Sequence, residues 1–214
     1  SLTAVAADLP ARPEYKAPVM VAPVNMWTGC YVGGNVGAGW GGGKISSTTT
    51  TGSVSGTSNA AFVGGGQLGC DYQAGAMVFG VRNLTDWSNL SANATLSVGG
   101  TANVKTNWID LLTGRIGYAV QPAWLLYFQG GGAFRGATIQ QFNGAGAQVG
   151  QVSNNRSGWT LGVGSEYKLT PNWSVFAEYD YADFGSRIVA LPTGVNVNVS
   201  SKASLALFGV NYRF

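Results

Sequence analysis

The chain has 214 residues, with 12 Lys plus Arg against 9 Asp plus Glu, a formal net charge of +3 and no histidine. Charged residues make up only 10% of it, against about 25% in a typical soluble domain, so a conventional soluble globule is excluded. No apolar run approaches the ~18 residues of a membrane helix, 45% hydrophobic content argues against disorder, and the basic residues are scattered singly, with no stripe to follow a nucleic-acid backbone.

Missing histidine also removes Ser-His-Asp and Cys-His catalysis and His-rich metal sites. With 33 glycines, roughly twice the usual ~7%, the composition points to an all-β chain, and best to a membrane barrel.

In chain order, Ala4-Val5-Ala6 has the small-x-small form of a signal-peptidase site, so residues 1–6 are expected to be a signal-peptide remnant and the mature chain to begin at Ala7-Asp8. Residues 7–26 contain Pro10, Pro13, Pro18 and Pro23. Proline at this density blocks helix interiors and sheet ladders and favours an extended spacer, with a reach of roughly 60 Å at ~3.1 Å per residue.

Residues 27–214 are then expected to form the barrel. Apolar and small or polar residues alternate with period two, predicting eight strands at about 28–40, 60–72, 77–89, 104–118, 124–138, 157–169, 173–185 and 202–214. Tight turns at 73–76, 120–123 and 170–172 alternate with long polar stretches at 41–59, 90–103, 139–156 and 186–201. That asymmetry is the pattern of an eight-stranded antiparallel up-and-down outer-membrane barrel with its long loops outside the cell.

All seven tryptophans fall at predicted strand ends: Trp27, Trp124 and Trp173 on the short-turn side, Trp40, Trp87, Trp108 and Trp159 on the long-loop side. They read as two aromatic girdles at the membrane interfaces. Five cations (Arg82, Arg115, Arg135, Lys168, Arg213) and five anions (Asp71, Asp86, Glu166, Glu178, Asp180) fall mainly on the opposite, inward phase, predicting a paired charge network in the lumen. Asn83 and Asp110 fall on the lipid-facing phase, which requires either a place near an interface or a slip in register.

Cys30 and Cys70 lie equidistant from residue 50, the centre of the first long loop, and share the lipid-facing phase. Opposed residues of an antiparallel pair have Cβ atoms about 4.5–5.5 Å apart, near disulfide range. A structural disulfide is expected, with two unpaired apolar side chains as the alternative. Gly37-Ala38-Gly39-Trp40-Gly41-Gly42 matches a dinucleotide fingerprint, but a Thr-rich stretch follows it where a phosphate-binding helix should start. The inward carboxylates Glu166, Glu178 and Asp180 read as structural ion-pair partners; no catalytic residue, cofactor or metal is expected.

The Ala7-Asp8-Leu9-Pro10 start, the Pro-rich arm and the run Trp27-Thr28-Gly29-Cys30-Tyr31-Val32-Gly33-Gly34-Asn35-Val36-Gly37 resemble the small outer-membrane barrels of alphaproteobacteria, the porin-opacity or surface-antigen group. So do Gly114-Arg115-Ile116-Gly117-Tyr118, Trp124-Leu125-Leu126-Tyr127 with Gly130-Gly131, Glu178-Tyr179, and the terminal Gly209-Val210-Asn211-Tyr212-Arg213-Phe214. The stretch Arg82-Asn83-Leu84 departs from the acidic sequence common in that group.

The resemblance implies an abundant, non-enzymatic envelope protein of the Gram-negative outer membrane, in contact with its lipid and lipopolysaccharide. It implies that Phe208, Val210, Tyr212 and Phe214 form a signal read by the outer-membrane assembly machinery. It also implies that the α-amine of Ala7, with Asp8 beside it, is joined to peptidoglycan from a periplasmic arm. A monomer is expected rather than an oligomer. A narrow solute pore, or a surface adhesion module using the four outer loops, are the alternative readings.

Overall fold

The computed structural model describes residues 26–47, 53–57, 60–89, 91–96, 100–143, 145–190 and 196–214. The expected cleavage site and the arm up to residue 25, with Ala7 and Asp8, lie outside the described residues. The described residues form ten strands: β1 (Gly29–Ser47), β2 (Ser53–Thr57), β3 (Ala61–Ala74), β4 (Met77–Ser88), β5 (Ser91–Leu96), β6 (Gly100–Gln121), β7 (Trp124–Asn143), β8 (Gln148–Lys168), β9 (Trp173–Ala190) and β10 (Asn196–Arg213).

Eight of them form the wall in the order β10-β9-β8-β7-β6-β4-β3-β1, every pair antiparallel, and β1 closes on β10 from Tyr31↔Arg213 to Ser47↔Val197. Closure leaves the wall without a free edge, which a hydrocarbon environment demands because no water is present there to satisfy backbone groups.

The strands begin and end close to expectation at the short-turn end. Gly75, in the left-handed region at φ 64°, and Ala76 turn β3 into β4. Pro122 and Ala123 connect β6 to β7. The β8–β9 turn is held by Thr170, whose Oγ1 accepts from the Trp173 amide at 3.0 Å.

At the other end the ladders run further than expected. β1 continues to Ser47, β7 to Asn143 and β9 to Ala190, while β8 starts at Gln148; β2 and β5 pair with the extensions of β1 and β6. Much of the sequence expected as open loop is therefore paired strand. These Thr-, Ser-, Val- and Gln-rich segments can extend the ladder once register is set. Their sequence carries no regular apolar-polar alternation to reveal it.

The two faces are inverted relative to a soluble protein. Phe128 is 72% exposed and Leu68 62%, and Val32, Val36, Val81, Leu112, Ile116, Leu161 and Phe208 join them outside. Asn35, Gln67, Arg82, Arg115, Glu166, Asp180 and Asn211 are buried inside. The register does not slip at Asn83 and Asp110. Asp110 pairs with Thr85 across the β4–β6 ladder, and its Oδ1 accepts from Thr85 Oγ1 at 2.5 Å and Asn83 Nδ2 at 3.0 Å. This outward-facing polar cluster lies two residues from the Trp87↔Trp108 pair that marks the membrane boundary.

Cys30 and Cys70 oppose each other on β1 and β3 with Cα atoms 3.9 Å apart and are joined in a disulfide.

Candidate functional site

The interior is the part of the molecule with chemistry to explain, and it is layered along the barrel axis. At the short-turn end, Trp27, Val78, Leu125 and Tyr127 form an apolar cap flanked by Met26 and Ala119. Trp27 is therefore not a girdle residue: it is fully buried. It precedes the first ladder residue, Gly29, so the strand's alternation does not dictate its side, and the indole gains more from burial than from an interfacial position.

Its amide donates to Gln73 Oε1 at 3.0 Å and its Nε1 to the Pro122 carbonyl at 3.1 Å. The Lys168 ammonium sits 5.2 Å from the ring centroid and the Arg213 guanidinium 5.7 Å, cation–π contacts strengthened by the dry surroundings. Lys168 makes no ion pair among the described residues; it donates to the Pro171 carbonyl at 2.8 Å and so ties down the β8–β9 turn.

Above the cap lies the charged layer. Arg115 bridges two carboxylates, donating from Nε to Asp71 Oδ1 at 2.8 Å and from Nη1 to Glu166 Oε2 at 2.9 Å, with a further close Nη2 contact to Asp71 Oδ2. Arg213 Nη2 shares Asp71 Oδ2 at 2.7 Å. Glu166 also accepts from Ser174 at 2.6 Å and Asn211 at 3.0 Å. On a neighbouring part of the lumen, Arg82 forks onto Glu178 at 2.7 and 2.8 Å, and Tyr127 donates to Glu178 at 2.7 Å. Arg115 lies 5.0 Å from the centroids of both Tyr31 and Tyr127. Charges this deeply buried are tolerated only because each is paired and hydrogen-bonded.

Asp86 and Asp180 are in the lumen but outside the ion pairs. Asp180 accepts from Gln129, and Asp86 lies beside Asn35. The network expected from the sequence thus joins Asp71, Arg82, Arg115, Glu166, Glu178 and Arg213 in ion pairs, while among the described residues Asp86, Arg135, Lys168 and Asp180 form none, Asp180 lying against Glu178. Tyr31, Gln67, Tyr127, Gln129 and Asn211 complete it; their inward phase was readable, but nothing in the sequence sets uncharged inward residues apart as partners. Glycines supply the room. A Cβ on Gly80 would meet the Asp71 carboxylate, one on Gly162 the Asp180 carboxylate, and one on Gly164 the Tyr127 ring.

Beyond the charged layer the lumen is apolar again. Val63, Leu84, Ile109, Leu111, Ala133, Ala182, Phe184, Ala203, Leu205 and Leu207 pack together inside the barrel, none more than 6% exposed. A lumen lined by charge throughout does not describe this protein, because the inward phase of the outer half-strands carries aliphatic side chains. Arg135, expected in the charge network, lies on the outer side of this layer with its guanidinium 5.0 Å from the Phe184 centroid.

On the outer wall, Trp87, Trp108, Trp124, Trp159 and Trp173 are 36–68% exposed, Trp40 is half-buried, and the rings of Trp159 and Trp173 meet Tyr181 and Tyr212. Phe208, Val210, Tyr212 and Phe214 face outward along β10. Among the described residues, no three His, Cys, Asp or Glu side chains converge to hold a metal ion.

Residues 17–214 match the family model described as outer membrane protein beta-barrel domain. The chain is 33% identical to the 31 kDa outer-membrane immunogenic protein of Brucella melitensis, covering 99% of this chain and 94% of that one. It is 32% identical to the 25 kDa outer-membrane immunogenic protein of Brucella abortus, covering 100% and 92%. A 22 kDa outer membrane protein of Rhizobium leguminosarum is 29% identical over 81% of this chain and 72% of that one. Among solved structures, the outer membrane protein OprG of Pseudomonas aeruginosa shares the fold at a TM-score of 0.55 and 14% identity, covering 87% of this chain and 96% of that one.

Proposed function

Because the chain belongs to the family of outer-membrane β-barrel proteins, we propose that it is a structural, non-enzymatic element of the Gram-negative envelope, tethered to peptidoglycan through its mature N-terminus. The observation that carries the structural reading is the filled lumen. Two apolar layers bracket a charged one whose members are largely satisfied by one another. An eight-stranded barrel has an interior just wide enough to be filled by side chains, and here aliphatic and aromatic groups occupy both ends of it.

The tether reading is supported by the arm's composition and by where the barrel receives it. The chain enters at the short-turn end, the periplasmic end in this class of protein, and Trp27 is gripped there by Gln73, Pro122 and Arg213. A load on the arm would be passed to this anchored residue and the strands around it. In this reading the α-amine of Ala7, next to Asp8, forms an amide with a peptidoglycan carboxyl group. Lipopolysaccharide and membrane lipid surround the barrel, and the assembly machinery recognises the outward Phe208, Val210, Tyr212 and Phe214.

The description of relatives as immunogenic fits exposure of the long-loop end at the cell surface. Mass spectrometry of N-terminal peptides from lysozyme-digested sacculi tests the tether. A muropeptide on Ala7 is expected, and an Ala7 amine that is free throughout would overturn it.

A further inference from the structure

Towards the long-loop end a seam opens in the wall of the barrel. β8 pairs with β9 from Lys168↔Ser174 up to Trp159↔Asp183, and there the ladder stops. Beyond that point β8 still pairs with β7, through Arg135↔Arg156 to Phe142↔Gln148, and β9 still pairs with β10, from Ser186↔Ser200 to Ala190↔Asn196. Among the described residues no strand covers the other edge of β8 between Gln148 and Gly158. The seam begins at Trp159, a girdle residue, where water becomes available to the backbone.

Its cause is local. Asp183 pairs with Lys202 and Ser186 with Ser200, so Phe184 and Gly185 together face the single residue Ser201 in a β-bulge. Gly185 holds φ 66°, in the left-handed region that glycine adopts without penalty, and its amide donates to Asp183 Oδ1 at 2.8 Å. Phe184 is buried in the apolar layer. A bulge bends its strand and disrupts the ladder beside it.

Backbone groups of an antiparallel strand point alternately to its two neighbours. The Lys168 amide donates to the Ala123 carbonyl on the β7 side and the Leu169 amide to the Trp173 carbonyl on the β9 side, so the odd-numbered residues of β8 face β9. Beyond Trp159 these are Ser157, Asn155, Ser153 and Gln151, all exposed, and their N–H and C=O groups form a row with no strand opposite. Native sheets guard such edges with proline, charge or a covering segment. Residues 148–155 contain neither proline nor a charged residue.

We infer that the open edge of β8 is a strand-acceptor site at the long-loop end of the barrel, which takes an extended, acidic segment of another protein as an added strand. A polypeptide backbone matches a row of alternating donors and acceptors at this spacing. The strands flanking the seam, residues 135–158 and 184–202, carry four basic residues and no acidic one, which favours an acidic segment over a basic one.

The test uses the full chain folded in phosphatidylcholine bicelles and a fluorescent peptide that alternates valine and threonine, with glutamates at both ends. Saturable binding is expected by fluorescence anisotropy. The double variant S153P/N155P removes outward N–H groups and leaves the β7–β8 ladder intact, because proline is tolerated where the N–H faces solvent. Its binding is expected to fall roughly tenfold or more, and S153P alone to show an intermediate loss. A urea midpoint close to the parent's is expected for both, which separates a lost site from a lost fold. The same peptide with lysines in place of glutamates is expected to bind more weakly at low salt. No saturable binding by the parent, or equal binding by the parent and the proline variants, would overturn the inference. A dimer of the parent in sedimentation equilibrium without peptide, absent in S153P/N155P, would assign the edge to a second copy and overturn it too.

Discussion

At the scale of single residues, the inward side chains are interdependent because the lumen leaves no slack. Arg82 and Glu178 are both almost fully buried, so removing one strands the other's charge. Glu178→Leu is expected to cost about 3–5 kcal/mol, with the double replacement Arg82→Met/Glu178→Leu recovering much of it, as read from urea unfolding in detergent. Gly164→Ala would push a methyl group into the Tyr127 ring that donates to Glu178. Such overpacking is expected to cost about 1–3 kcal/mol, checked in the same assay. On the outer face, Val36 lies midway along β1 and is 54% exposed. Val36→Arg is expected to cost about 2–4 kcal/mol, the depth-dependent penalty for a cation at the bilayer midplane, and an unchanged unfolding midpoint would contradict its contact with lipid.

At the scale of elements, the period-two pattern made the eight wall strands and the short turns legible, because lipid on one side and a packed lumen on the other impose contrast at every position. It also gave the phase of Cys30 and Cys70, whose Cα atoms are paired across β1 and β3. Replacing both with Ser is expected to cost about 2–4 kcal/mol, read as the shift in unfolding free energy relative to the parent under oxidising conditions. Three features escaped. Trp27 lies just outside the first ladder, where alternation carries no information about side. The extensions of β1, β7, β8, β9 and β10 lack a regular apolar-polar alternation in the sequence. Which charges meet across the lumen depends on how the closed barrel staggers its strands: Arg82 and Glu178 are 96 residues apart, and period two alone cannot supply that stagger.

At the scale of the whole molecule, the charged middle and the apolar ends of the lumen divide the work. The ion pairs fix a particular arrangement of the inward side chains, and the apolar layers keep water from them. Leu205 and Leu207 on β10 and Leu84 on β4 are central to the outer seal, each fully buried. The measurement that tests the central claim most directly is the conductance of the purified barrel in planar bilayers. The account predicts no reproducible unitary steps in the parent protein, because side chains fill the lumen at both ends. Stable, uniform steps from the unmodified protein would contradict a sealed structural barrel and make it a pore.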